Sequence, residues 1–87
     1  MPVRVEFYGI ARARAGVPFI EIEAATLGDV FRQISLRGAA MNDVCSPEGS
    51  LQPGFLVNIN GRSFTTDAAK PVSGGDAVLI LSADAGG

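Results

Sequence analysis

Polar and apolar residues alternate near the start of this chain: Val3, Val5 and Phe7 against Arg4, Glu6 and Tyr8. That period of two predicts a half-buried strand. Gly9 ends it, and residues 10–15 read as a short helical turn or a loop. Residues 18–24 resume the alternation, with Ile20 and Ile22 facing one way and Glu21 and Glu23 the other. So short a gap predicts that the two strands pair antiparallel.

The spacing then becomes helical. Leu27, Val30, Phe31 and Ile34 fall at i, i+3, i+4 and i+7 and make one apolar face. Thr26 stands before them as an N-cap, and Asp29 suits the positive end of the helix dipole. The helix is predicted to fade by Gly38. Residues 39–53 carry Pro47, Gly49 and Pro53 and show no period. A loop that long in a small domain predicts a short helical turn within it. Residues 55–60 predict a third strand with Val57 and Ile59 inward, closed by the tight-turn signal Asn60-Gly61. A short strand is predicted around residues 63–65, a turn over 71–76, and a last strand over 77–81 that is apolar on both faces.

The order is strand, strand, helix, strand, short strand, strand, tail. One amphipathic helix then covers one face of a mixed sheet of four to five strands. The last strand reads as a central one. Placing it parallel to the first gives an α+β fold of the β-grasp, ubiquitin-like kind, although other α+β arrangements also fit the pattern. The expected organisation is a β-grasp domain over residues 1–81 and a flexible C-terminal tail over 82–87.

Composition narrows the function. Apolar residues make up 47% and charged residues 18%, which suits one folded domain. A net charge of −2 with scattered basic residues argues against nucleic acid, whose binding rests on neutralising phosphates. No apolar run reaches the roughly 18–20 residues that span a bilayer, and Met1-Pro2-Val3-Arg4 leads straight into the first strand, so no membrane partner and no signal peptide are expected. The lone Cys45 cannot form an internal disulfide, and a cytoplasmic location is expected.

Side-chain chemistry is sparse. The chain has no histidine to serve as a base beside Cys45, so that thiol is read as incidental. With one cysteine and no histidine, no metal site is expected. Gly74-Gly75-Asp76 lacks the Lys-Ser/Thr of a phosphate loop and is read as a turn. Arg12 and Arg14 are read as solvated, with pairing to a partner's acids as the alternative. Lys70, the sole lysine, is the one side chain that could accept an isopeptide bond. If Val78 and Ile80 face the helix, Leu79 and Leu81 face away from it. Either neighbouring segments cover them or they leave an apolar docking patch; docking is the reading adopted.

The sequence given ends Ser82-Ala83-Asp84-Ala85-Gly86-Gly87. A backbone without Cβ can thread a narrow channel and present a carboxylate to another protein's chemistry, so this pair is the expected working end. Thr26-Leu27-Gly28-Asp29-Val30, Val57-Asn58-Ile59-Asn60-Gly61, Gly75-Asp76-Ala77-Val78 and the final Gly86-Gly87 occur in the order and at the separations of one family. In these the chain resembles the MoaD/ThiS sulfur carriers. The resemblance implies a carrier rather than an enzyme, with Gly87 adenylated and then converted to a thiocarboxylate. It implies that Gly86, Ala85 and Asp84 thread a partner's channel. That partner would be a ubiquitin-activating-type enzyme, which binds the ATP and Mg²⁺; no cofactor is expected on this chain. A sulfur donor and a sulfur-acceptor synthase subunit complete the implied partners.

Length and the first two strands look more MoaD-like than ThiS-like, implying molybdopterin biosynthesis and the small subunit of a molybdopterin synthase-type complex. A carrier for thiamine or another sulfur metabolite, a ubiquitin-like modifier conjugated through Gly87, and an interaction module with an idle tail are the alternatives. Many MoaD-like tails carry a Pro-Pro step and an apolar residue before the glycines, and ThiS-like tails are apolar there too. Asp84 fits neither, which leaves the activating enzyme and the pathway open.

Overall fold

In a computed structural model that describes residues 1–83, the predicted strands join one five-stranded sheet in the order β2-β1-β5-β3-β4. The strands are β1 (Val3–Phe7), β2 (Phe19–Ile22), β3 (Phe55–Ile59), β4 (Ser63–Thr65) and β5 (Ala77–Ser82). Helix α1 (Ile10–Ala15) fills the connection between β1 and β2, and α2 (Leu27–Ser35) follows β2. β1 pairs antiparallel with β2 and parallel with β5, while β5 and β4 flank β3 antiparallel. First and last strands are therefore adjacent and parallel, and the fold is the ubiquitin-like β-grasp.

The core lies between the sheet and α2. Register sets Val5 opposite Val78 and Phe7 opposite Ile80, with Ile80 and Val78 facing Val57 and Ile59 on the other side. These residues are buried, as are Leu27, Val30, Phe31 and Ile34 from the helix. The unpatterned stretch holds a 3-10 turn at Ala39–Asp43 and adds Met41, Val44 and Cys45 to the core.

The start of α2 explains its sequence. The Thr26 hydroxyl accepts from the Asp29 N–H, and the Asp29 carboxylate accepts from the Thr26 and Ala25 N–H groups. The next two free donors, Leu27 and Gly28 N–H, reach the Lys70 and Ala68 carbonyls at 2.9 and 2.8 Å. All the donors that a helix N-terminus leaves open are thereby used. Gly28 sits in a close approach: a Cβ there would lie 3.2 Å from the Ala68 oxygen and 3.4 Å from that of Gly49, tighter than side chains ordinarily pack.

Asp76 ties the β3–β4 turn to the start of β5. Asn60 and Gly61 both have positive φ, and the turn closes through Arg62 N–H donating to the Ile59 carbonyl at 3.0 Å. The Asn60 side chain donates to Asp76 at 3.0 Å and accepts the Ala77 N–H at 2.7 Å; the Ser73 N–H reaches the other Asp76 oxygen at 2.8 Å.

At its far end β5 runs one residue past the expected end at Leu81. Ser82 pairs with Phe55 and is buried, and the Ala83 N–H donates to the Gly54 carbonyl at 2.7 Å. The sheet thus holds one residue, Ser82, that the sequence reading assigned to the tail, because the alternation continues onto a small polar residue that fits the inner face. Asp84, Ala85, Gly86 and Gly87 lie outside the described residues.

The Asn60 and Ser73 hydrogen bonds hold the Asp76 carboxyl below its ordinary value of 3.8. As pH falls, the unfolded chain takes up that proton first, so Asp76 contributes stability above 3.8 that is lost as pH drops through its folded value. Thermal melts across that acid range should show a shallower loss for Asp76→Asn than for wild type, from a lower starting stability at neutral pH. Parallel curves would mean that the network does not couple this proton to folding.

Candidate functional site

The sheet's outer face, opposite α2, divides into two halves of different chemistry. On β2 and β1, the Arg4 guanidinium lies 3.6 Å from the centre of the Phe19 ring. Arg4 Nε also meets Glu6 at 3.3 Å, and the Tyr8 hydroxyl donates to the other Glu6 oxygen at 2.6 Å. That bond to a carboxylate, above all, pushes the Tyr8 hydroxyl pKa up. These groups satisfy one another across the strands.

The half on β5, β3 and β4 is apolar. Register puts Leu79 opposite Glu6 and Asn58, Leu81 opposite Leu56, and Phe64 opposite Asn58. Leu79, Leu81 and Leu56 are half-buried, and Phe64 is 64% exposed at the sheet's edge. Leu79 and Leu81 thus face away from the helix, as the alternation requires. Asn58 lies among them with its Oδ1 buried and unpartnered. Tyr8 joins the row beside Leu81, since its N–H donates to the Ile80 carbonyl at 3.0 Å and extends the parallel pairing by one residue.

The apolar half leads directly to the point where the chain leaves the sheet. Leu81 precedes the last described residue, Ala83, by two positions. Residues 84–87 add at most about 14 Å of extended chain beyond it. Sequence reading missed Leu56, Asn58 and Phe64 as members of this face. Alternation with Val57 and Ile59 already places Leu56 and Asn58 outward; Phe64 required the strand register.

The remaining candidates are spread apart. Arg14 pairs with Asp43 at 3.2 Å, and Arg12 stands exposed on the same helix. Lys70 is exposed, its carbonyl engaged by α2. Gly74-Gly75-Asp76 is a turn packed on the N-terminus: Gly75 has φ +92°, its N–H donates to the Pro2 carbonyl at 2.9 Å, and a Cβ on Gly74 would fall on the Met1 carbonyl oxygen. Cys45 is buried, and that burial pushes its thiol up to about 12. Among the described residues no group of three or more Asp, Glu, Cys or His converges, and no helix is long and apolar enough to cross a membrane.

No protein-family model and no curated protein matches the sequence. Solved structures do. Small archaeal modifier protein 1 from Methanosarcina acetivorans superposes with a TM-score of 0.79 at 22% identity, over 99% of this chain and 96% of that one. A chain of the Amycolatopsis orientalis BexX/CysO complex gives 0.76 at 26% identity, over 98% and 99%. A chain from the complex of subunits 1 and 2 of the molybdopterin-converting factor of Helicobacter pylori 26695 gives 0.69 at 17% identity, with both chains covered fully. This chain shares the β-grasp fold of these proteins.

The state of Cys45 is open to direct test. The folded protein should resist a thiol-alkylating reagent at neutral pH, with labelling becoming rapid once denaturant opens the core. Fast labelling of the native protein would show an accessible thiolate.

Proposed function

We propose that this chain is a sulfur carrier whose Gly87 carboxylate is activated as an adenylate and converted to a thiocarboxylate. The observation that carries the reading is the position of β5: a strand paired on both edges leads the sequence toward Gly86-Gly87 from beside an apolar sheet face. A carboxylate is a poor electrophile. Attack of its oxygen on the α-phosphate of ATP releases pyrophosphate and leaves a mixed anhydride with AMP, from which a sulfur nucleophile can displace AMP. The carrier needs no catalytic side chain for this. It needs a deliverable terminus and a surface that docks.

Leu79 and Leu81 serve as docking residues on this reading, and Asp84, Ala85 and Gly86 pass through the partner's channel. ATP and Mg²⁺ belong to a ubiquitin-activating-type partner, and a sulfur donor and an acceptor synthase subunit act after it. Molybdopterin biosynthesis is the first choice of pathway, resting on the MoaD-like length and opening strands; the fold similarity to the molybdopterin-converting factor chain is compatible with it. The similarity to a modifier protein supports conjugation through Gly87 as a second reading.

Intact mass after incubation with ATP, a sulfur donor and an adenylating enzyme of this type distinguishes them. Exchange of one oxygen for sulfur at Gly87 is expected; adducts with other proteins would favour the modifier, and an unchanged mass with every activator tried would overturn the proposal. Deletion of Gly86-Gly87 should abolish activation and leave the melting temperature nearly unchanged. Asp84→Val makes the tail apolar and should improve use by a generic MoaD- or ThiS-type activator. Loss of activation by the native partner would instead mark Asp84 as a contact for a dedicated enzyme.

A further inference from the structure

Buried polar atoms in folded proteins nearly always have partners, and each exception requires a cause. Among the described residues, one such side-chain atom stands alone, Asn58 Oδ1. The residue is 6% exposed, on the outer face between Leu79 of β5 and Phe64 of β4. Valine or leucine would suit a strand at that position better and leave nothing unpaired. On the β1–β2 half Arg4, Glu6 and Tyr8 are bonded to one another, whereas Asn58 Oδ1 lacks a partner in the apolar half.

We propose that Asn58 is a recognition residue: its Oδ1 accepts a hydrogen bond from an N–H or O–H donor on the adenylating protein that takes the C-terminal carboxylate. The donor sits within an otherwise apolar contact with Leu56, Leu79, Leu81 and Phe64. This rests on the carrier reading above. The occupant follows from continuity, because β5 carries Leu79 and Leu81 and leads on to Gly87 within about 14 Å of extended chain. A protein that receives Gly87 must therefore sit against this end of the sheet. A standard interface takes about 800 Å² from each partner, enough to extend from the chain exit across Leu81 to Asn58. Phe64, exposed on a three-residue edge strand, can turn aside by a rotamer change of the kind interfaces commonly show. A wholly apolar partner surface would leave Oδ1 without a donor, whereas one that supplies a donor satisfies it, so the residue favours the second kind of partner.

ATP–pyrophosphate exchange tests this, using the adenylating enzyme that activates the wild-type chain, with carrier concentration varied for wild type and Asn58→Leu. The expected result is a KM about five- to tenfold higher at unchanged kcat, the pattern of lost docking energy, with a melting temperature equal to or above that of wild type. If leucine is not accommodated, Asn58→Val carries the same test, since it also lacks the acceptor. An unchanged KM in a folded variant overturns the role of Asn58 and leaves the carrier reading standing. Failure of wild type to support exchange with any activator overturns the carrier reading itself.

Discussion

β5 is paired along both edges, parallel to β1 and antiparallel to β3, and the rest of the molecule is arranged around that constraint. Strands from opposite ends of the sequence cannot pair in parallel without a crossover, so the chain between β1 and β5 must cross one face of the sheet. α2 lies on that face and buries its apolar stripe against Val5, Phe7, Val78 and Ile80. A one-residue slip of β5 would send Val78 and Ile80 outward and Leu79 and Leu81 into the core. The Asn60–Asp76 network at one end and the Ala83–Gly54 hydrogen bond at the other oppose such a slip.

The second constraint is the close approach at the start of α2. Two of its N–H groups use carbonyls of residues 68 and 70, so the segment between β4 and β5 must pass within hydrogen-bonding distance of the helix. Only a residue without a Cβ fits comfortably where the backbones of Gly28, Gly49 and Ala68 converge. Glycine inside a helix costs about 0.5–1 kcal/mol relative to alanine. Here that cost is offset by donors that would otherwise be buried unpaired. The Thr26-Leu27-Gly28-Asp29 string is therefore a packing requirement as much as a helix start.

What could be read from the sequence follows from how locally each feature is encoded. The alternation in β1 and β5, the helix stripe from Leu27 to Ile34, the Thr26–Asp29 cap and the Asn60-Gly61 turn each depend on side chains a few residues apart, and each stands where the pattern predicted it. Met41, Val44 and Cys45 were not legible as core, because a 3-10 turn followed by an isolated bridge from Cys45 to Leu51 has no repeating period. The end of β5 was missed by one residue because Ser82 carries no apolar signal. On the outer face, Leu79 and Leu81 could be assigned by parity alone. The pairing of Arg4 with Phe19 and of Leu79 with Asn58 depends on register between distant strands, which a single sequence does not display.

The outer face also shows how a protein with so little reactive side-chain chemistry can still be built for a task. The chain has no histidine, and its one cysteine is buried with its thiol pushed up to about 12. What distinguishes the surface is the contrast between its two halves. On β1 and β2 a salt bridge, a stacked guanidinium and a short hydroxyl–carboxylate bond engage Arg4, Glu6, Tyr8 and Phe19. On β5, β3 and β4 the side chains are apolar and incompletely covered, and they surround an acceptor without a donor. Leaving that half unfilled fits the proposed carrier reading, in which a partner that docks beside the end of β5 completes it.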